Sequence, residues 1–292
     1  MTEFGEIERV SPTECVTGEN PLWHPDEKAI YWTDIPGARI YRYDPASGET
    51  TVAYAGDIVG GFTLQTDGSL LMFGAGGKIQ RLKDGHAEIV LQSIPAEIST
   101  RFNDVIADPA GRVFCGTMPT KERSGRVYRL DPDMTLTEVI SGIGVSNGLG
   151  FSPDHKTLYH TDSDPARRIN AYDYSEDTGE IGNSRLFTQV KEGDAVRDGM
   201  TVDAEGRIWS ARWDGGCVVR YSPDGAEVDR IVIPGAVKVS NITFGGDDYK
   251  DMYITTAGGD DKGTNGQYAG SLFRVRAGIR GVPEFRSKII VP

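Results

Sequence analysis

The amino-acid sequence predicts an all-β fold: a six-bladed β-propeller of four-stranded antiparallel blades, formed as one domain by residues 1–292. Six copies of one pattern fill the chain, each with an apolar strand, an Asp-bearing turn, a second strand and an aromatic-rich third strand. Turns containing glycine are frequent, and no segment shows the periodicity of an amphipathic helix. A β-sandwich with coincidental turn spacing is the alternative, but six near-equal copies without a linker favour the propeller.

The turn aspartates mark the repeat. They are separated by 41, 41, 46, 49 and 45 residues, which is the length of a four-stranded blade. Three longer connections, at residues 118–124, 165–168 and 260–270, are expected to lie over the axial face of the ring. The markers are Asp26, Asp67, Asp108, Asp154, Asp203 and Asp248.

Composition excludes several classes of partner. The net charge of −12 over 292 residues argues against binding to nucleic acid or to an anionic membrane surface. The three cysteines, Cys15, Cys115 and Cys217, are widely spaced and predict reduced, buried thiols. The chain has no apolar N-terminal run and no span of about 20 apolar residues. We therefore expect a cytoplasmic protein, monomeric or weakly homo-oligomeric.

The phase of the repeat selects one set of residues. In a propeller the first strand of each blade lines the central channel, so residues at one position of successive blades converge at the axis. At the entry of this strand, four of six copies carry a carboxylate or a carboxamide, and the other two carry glycine and serine. In chain order these entry positions are Glu19, Gly60, Asn103, Asn147, Asp198 and Ser240.

Two carboxylates and two carboxamides around one axis predict a metal site. Such an all-oxygen set suits one hard divalent cation, Ca²⁺, Mg²⁺ or Mn²⁺, and is compatible with Zn²⁺ or Fe²⁺. Two carboxylates held together without a cation would repel each other. The alternative for each residue alone is a side chain that bonds to backbone groups in a turn.

At these positions the sequence resembles the SMP-30/gluconolactonase/regucalcin-like family of aldonolactonases. The matching segments follow the family's order and extend over essentially the whole chain. They are Gly18-Glu19-Asn20-Pro21-Leu22-Trp23, Arg101-Phe102-Asn103-Asp104, Asp108-Pro109-Ala110-Gly111-Arg112, Gly116-Thr117-Met118, Ser146-Asn147-Gly148-Leu149, Asp198-Gly199-Met200 and Phe244-Gly245-Gly246.

The resemblance implies a metal ion held by Glu19, Asn147 and Asp198. It also implies that Asn103 lies close to the metal, through water or substrate, and that Arg101 contacts a sugar lactone. Glu122 matches the family's loop glutamate only loosely. The substrate stays open among gluconolactone-, xylonolactone- and arabinolactone-type sugars.

Lactone hydrolysis needs an activated water, stabilisation of the oxyanion and protonation of the leaving alkoxide. Asp198 is the candidate general base, and Arg101 is a candidate donor to sugar hydroxyls or to the oxyanion. No GxSxG, Cys/His or HExxH motif occurs, so serine- and cysteine-based hydrolysis have no support. His160 is expected to be structural rather than part of the site, and Trp213 is a candidate for the border of the substrate site.

Three other functions compete on the same fold. A metal-dependent phosphotriesterase would use the same cation on another electrophile, and a Ca²⁺-binding regulatory protein would hold metal without turnover. A WD40-type interaction propeller is disfavoured, because only an isolated Trp213-Asp214 pair matches its signatures. The fold alone does not choose among these functions, whereas the ligand set does.

Overall fold

The computed structural model describes residues 4–291 and confirms a propeller of six four-stranded antiparallel sheets. Blade 1 contains β2 (Gly18–His24), β3 (Ala29–Asp34), β4 (Arg39–Asp44) and β5 (Glu49–Ala55). Blade 2 contains β6 (Val59–Leu64), β7 (Leu70–Gly74), β8 (Ile79–Lys83) and β9 (His86–Leu91). Blade 3 contains β10 (Phe102–Ala107), β11 (Val113–Thr117), β12 (Gly125–Leu130) and β13 (Leu136–Ile143).

The other three blades continue the ring in chain order. Blade 4 contains β14 (Ser146–Phe151), β15 (Thr157–Asp162), β16 (Arg168–Tyr174) and β17 (Ile181–Gln189). Blade 5 contains β18 (Val196–Val202), β19 (Ile208–Trp213), β20 (Cys217–Tyr221) and β21 (Glu227–Val232). Blade 6 contains β22 (Val239–Gly245), β23 (Asp251–Thr256), β24 (Leu272–Arg276) and, as its outermost strand, β1 (Ile7–Ser11).

Strand β1 closes the ring by joining the two ends of the chain in one blade. It pairs antiparallel with β24, and Ile7 lies opposite Val275 while Arg9 lies opposite Phe273. The repeat did not predict this strand, because its pairing partner lies at the other end of the sequence. The only helices in residues 4–291 are a 3₁₀ turn at Pro95–Glu97 and α1 (Lys262–Asn265). Among these residues no helix is long and apolar enough to cross a membrane.

Apolar side chains pack between neighbouring blades and form the core. Phe73 of blade 2 meets Phe102 of blade 3 edge to face, with ring centroids 5.3 Å apart. Trp209 of blade 5 meets Phe244 of blade 6 at 6.3 Å. The predicted free cysteines Cys15, Cys115 and Cys217 are confirmed as buried thiols within this core. Each blade therefore buries its two faces against its neighbours, which fixes how the innermost strands converge.

The marker aspartates stabilise the turns that define the repeat. The buried carboxylate of Asp203 accepts hydrogen bonds from the backbone N–H groups of Glu205 and Arg207, at 2.9 and 3.0 Å. Its other oxygen accepts from Trp209 Nε1 at 3.0 Å and from Arg220 Nε at 2.9 Å. A charged acceptor at this position satisfies several buried donors together.

The C-terminal segment 281–291 crosses the turn side of the ring. Ser287 N–H donates to Leu64 O at 2.8 Å, and Lys288 N–H donates to Gly111 O at 2.8 Å. These contacts lie where the innermost strands end, opposite the entry positions. Glu284 from this segment lines an axial cavity of about 40 Å³, and burial raises its pKa to about 7. The segment thus covers one mouth of the channel and leaves the entry side for the site described below.

Candidate metal centre and active site

A cavity of about 480 Å³ opens at the entry ends of the innermost strands. Five predicted site residues, from blades 1, 3, 4 and 5 and the segment before blade 3, contribute to its wall. Four are buried, with exposed fractions of 4% for Glu19, 7% for Asn103, 6% for Asn147 and 5% for Asp198. Arg101 is the half-buried fifth member. Residues more than 170 positions apart in sequence therefore share one cavity, as the repeat phase predicts.

A β-bulge occurs at the entry of every innermost strand. In blade 3, for example, Phe102 pairs with Thr117 and Val105 with Cys115, so that Asn103 and Asp104 together oppose one residue. Corresponding register shifts occur in the other five blades. A bulge re-aims side chains and interrupts the usual alternation between faces. Both the entry residue and the residue after it can therefore face the axis.

Hydrogen bonds fix the orientation of the two carboxamides. Asn147 Nδ2 donates to Ser163 Oγ at 2.8 Å, so Asn147 Oδ1 is directed away from Ser163. That oxygen accepts one hydrogen bond, from Asn103 Nδ2 at 3.0 Å, and retains a lone pair. Asn103 Oδ1 in turn accepts from Arg101 Nη1 at 2.6 Å. The chain from Arg101 to Ser163 thus holds each oxygen in a defined direction.

Burial raises the pKa values of the axial carboxyl groups. The pKa of Asp198 lies well above its ordinary value because of burial first, and then because of the charges of Glu19 and Asp104, while Arg101 opposes the shift. No group in residues 4–291 donates a hydrogen bond to the Asp198 carboxylate. Burial also raises the pKa of Glu19, although hydrogen bonds from Asn241 and Asn20 oppose it. Arg101 opposes both shifts, but its single positive charge does not balance the two carboxylates.

The donor set fits a hard divalent cation. The part of the chain that the structure describes contains no group of three or more His, Cys, Asp or Glu side chains arranged to hold a metal. The candidate ligands are instead the carboxylates of Glu19 and Asp198 with the carboxamide oxygen of Asn147. Mixed carboxylate and carbonyl oxygens are the ligands of Ca²⁺, Mg²⁺ and Mn²⁺. The unpaired carboxylate of Asp198 is the observation that most directly calls for a cation.

Two buried axial residues were not singled out from the sequence. Asp104 and Asn241 each follow an entry position, and both are more than 90% buried. Asn241 Nδ2 lies 2.9 Å from Glu19 Oε2 and 3.0 Å from Asp104 Oδ1. Strict alternation along a strand would turn them away from the axis, and only the bulge brings them to it. Polar residues directly after an entry residue were the available signal.

Glu122 is not brought into this cavity. Its side chain is exposed in the loop at residues 118–124 and lies 3.4 Å from Thr120 Oγ1, so its substrate role stays a prediction from the resemblance. In the same loop Met118 does line the cavity. His160 is fully buried, with Nε2 3.0 Å from Ser146 Oγ, and does not line the cavity, so its structural role stays a prediction. Trp213 lines the cavity, and Lys238 Nζ lies 4.7 Å from its ring centroid.

Comparisons with known proteins agree with this fold. Pentonolactonase XacC of Haloferax volcanii is 46% identical over 290 residues, which cover 97% of this chain and 98% of that protein. Regucalcin of Gallus gallus is 33% identical, covering 96% and 97% of the two chains. A solved structure of a calcium-binding protein, regucalcin from Agrobacterium tumefaciens, superposes with a TM-score of 0.88 at 26% identity, covering 97% of each chain. The family model for the SMP-30/gluconolactonase/LRE-like region matches residues 17–258, and the chain belongs to that family.

Proposed function

We propose that this protein hydrolyses a sugar aldonolactone to the aldonic acid with the help of one divalent cation. The observation that carries the proposal is the pair of buried carboxylates, Glu19 and Asp198, which face the single positive charge of Arg101 in the wall of a 480 Å³ cavity. Glu19, Asn147 and Asp198 would hold the cation. When bound, it would polarise the lactone carbonyl and lower the pKa of a water molecule in the cavity.

Asp198 is proposed as the general base. Its carboxylate has no hydrogen-bond donor in residues 4–291, so its oxygens are available both to a cation and to a water proton. The water oxygen attacks the carbonyl carbon while Asp198 takes the proton. The ring carbon–oxygen bond then breaks, and the same proton passes to the departing alkoxide. One carboxyl group can therefore serve both halves of the reaction without a histidine.

Arg101 and Asn103 are proposed to bind the sugar. Arg101 Nη1 donates to Phe102 O at 2.9 Å and to Asn103 Oδ1, whereas Nε and Nη2 make no hydrogen bond within residues 4–291, and Arg101 lines the cavity. A planar guanidinium can donate to two oxygens at once, which suits vicinal hydroxyls or a developing oxyanion. This arrangement favours a polyhydroxylated lactone over an apolar ester.

Pentonolactones are the substrates we propose to test first. The 46%-identical relative carries the name pentonolactonase, and it aligns with nearly the whole of this chain. Xylono- and arabinolactone are the corresponding compounds, and gluconolactone adds one carbon. One methylene-sized group changes kcat/KM by roughly 10- to 200-fold in a fitted pocket, so a panel can separate these sugars.

The test uses freshly prepared lactones and protein stripped of metal by chelation. We expect no turnover above the spontaneous rate until Ca²⁺, Mg²⁺, Mn²⁺, Zn²⁺ or Fe²⁺ is added singly. Full activity in protein shown to be metal-free by elemental analysis would refute the metal-dependent mechanism. A higher kcat/KM for an organophosphate would identify a phosphotriesterase instead. Tight Ca²⁺ binding without turnover of any lactone would identify a binding protein.

A further inference from the structure

Asn241 bridges two buried carboxylates beneath the proposed cation site. Its Nδ2 donates to Glu19 Oε2 at 2.9 Å and to Asp104 Oδ1 at 3.0 Å. Its Oδ1 accepts from the backbone N–H of Ile242 at 2.8 Å. Because a carboxamide nitrogen has two hydrogens, one for each carboxylate, the nitrogen end of this side chain is fully committed, and its oxygen end is anchored by one backbone donor. The orientation of Asn241 is therefore determined by its surroundings.

The bridge leaves one oxygen of Glu19 for a cation. Glu19 Oε2 also accepts from the backbone N–H of Asn20 at 2.9 Å, so this oxygen has two donors. Glu19 Oε1 accepts no hydrogen bond from any group in residues 4–291. We propose that Asn241 is a positioning residue that holds Glu19 so that it binds the cation through Oε1 alone. This inference rests on the cation site proposed above.

Gly199 makes room for the bridge. A β-carbon added at Gly199 would lie 2.0 Å from Asn241 Cγ, well inside van der Waals contact. Gly199 directly follows Asp198, so blade 5 supplies both a proposed ligand and the space beside it. A methyl group here would displace Asn241 without removing any polar group. The glycine therefore offers an independent way to break the bridge.

Asn241 contacts Glu19 but does not line the substrate cavity. Glu19 lines the 480 Å³ cavity, whereas Asn241 lines the smaller axial cavity. Asp104 anchors the other hydrogen of Asn241, and its Oδ2 has no partner in the described chain. Loss of the bridge would leave both carboxylates short of a donor. The primary effect should thus be on cation affinity, with little effect on binding of the lactone.

The experiment measures cation binding directly. Metal-stripped wild type, Asn241→Ala and Gly199→Ala are titrated with Ca²⁺ and with Mn²⁺ by calorimetry. Partners that orient metal ligands typically contribute 10- to 100-fold to affinity, so we expect Kd to rise roughly 10- to 100-fold in both variants. Gly182→Ala is the matched control, because a β-carbon there meets no atom within 4 Å. Its Kd should equal that of the wild type.

Kinetics separate positioning from a general structural role. At saturating cation, KM for the lactone should stay within about twofold of wild type in Asn241→Ala, since Asn241 does not line the cavity. A wild-type Kd in both Asn241→Ala and Gly199→Ala would overturn the inference. So would a crystal structure of the loaded wild type with both Glu19 oxygens on the cation, a result that does not depend on any variant folding. Absence of cation binding by the wild type would instead refute the proposed function.

Discussion

Replacing Asp198 with asparagine tests whether its buried carboxyl group, which has no hydrogen-bond donor, destabilises the metal-free protein when it ionises. The side chain is 5% exposed and has no hydrogen-bond donor in residues 4–291. Its pKa is raised by burial and by Glu19 and Asp104. A carboxyl group whose pKa is higher in the folded than in the unfolded chain favours the folded state when it is protonated. As pH rises above the unfolded pKa, this group makes the folded state progressively less stable. In metal-free protein, Asp198→Asn should therefore increase stability at neutral pH.

The size of the effect has an upper limit, because the carboxyl group can take up a proton instead of staying charged. With an unfolded pKa of about 3.9 and about 1.4 kcal/mol per pH unit, the penalty reaches at most about 4 kcal/mol at pH 7 and about 1.5 kcal/mol at pH 5. A chain of 292 residues unfolds with an entropy of roughly 0.6 kcal/mol per kelvin. We expect Tm to rise by about 3–7 °C at pH 7, and by about 2 °C at pH 5.

Added cation should reverse the order of the two proteins. A ligand at 100 times its Kd stabilises the folded state by about 2.7 kcal/mol, which corresponds here to a rise in Tm of about 4 °C. Wild type should gain this amount and Asp198→Asn should gain little at the same concentration. In lactone assays, kcat of the variant should fall steeply even when the cation site is refilled, because the proposed base is absent.

The assay is differential scanning calorimetry with and without chelator between pH 5 and pH 7. Asp203→Asn is the matched control: it is the same substitution in the same blade, but Asp203 is hydrogen-bonded to Trp209 and Arg220. Hydrogen bonds to charged groups are worth about 1.5–3 kcal/mol, so this variant should be less stable than wild type. If metal-free Asp198→Asn were also destabilised, or showed no dependence on pH relative to wild type, the reasoning would fail.

Three further predictions concern Arg101, Glu122 and Asn147. Arg101→Lys should leave cation affinity unchanged and lower kcat/KM roughly 10- to 100-fold, because lysine keeps the charge and loses the planar fork. Unchanged kinetics would show that Arg101 does not contact the substrate. Glu122 is at an exposed position, so we expect Glu122→Gln to change KM by about twofold at most. Asn147→Asp should bind the cation at least as tightly, measured by calorimetry, but lower kcat, because a third carboxylate weakens the cation as a Lewis acid. A higher kcat would contradict this prediction. In Asn147→Asp, a carboxylate oxygen replaces the Nδ2 that donates to Ser163. Ser163 cannot donate to this oxygen in return, because its hydroxyl already donates to Arg197 O at 2.6 Å.

The sequence by itself determined the propeller and where its axis lies. Six turn aspartates set the period, and that period is a local property of the chain that needs no knowledge of strand pairing. The phase of the repeat then placed Glu19, Asn103, Asn147 and Asp198 at equivalent positions. The structure has these four side chains around one cavity. Their chemical roles remain predictions, since spacing reports position and says nothing about turnover.

Only the tertiary structure decided which additional residues reach the axis. Asp104 and Asn241 face it because bulges insert one extra residue into the innermost strands, and a bulge is defined by register with a neighbouring strand. Likewise β1 closes blade 6 by pairing with β24, more than 250 residues away, and no local pattern marks such a partner. The loop that carries Glu122 follows no repeat, so its direction depends on the contacts it makes after folding. The sequence therefore predicts the periodicity of the blades. Strand register, the closure of the ring by β1 and the placement of the loop depend on pairs of residues that meet only in the folded chain.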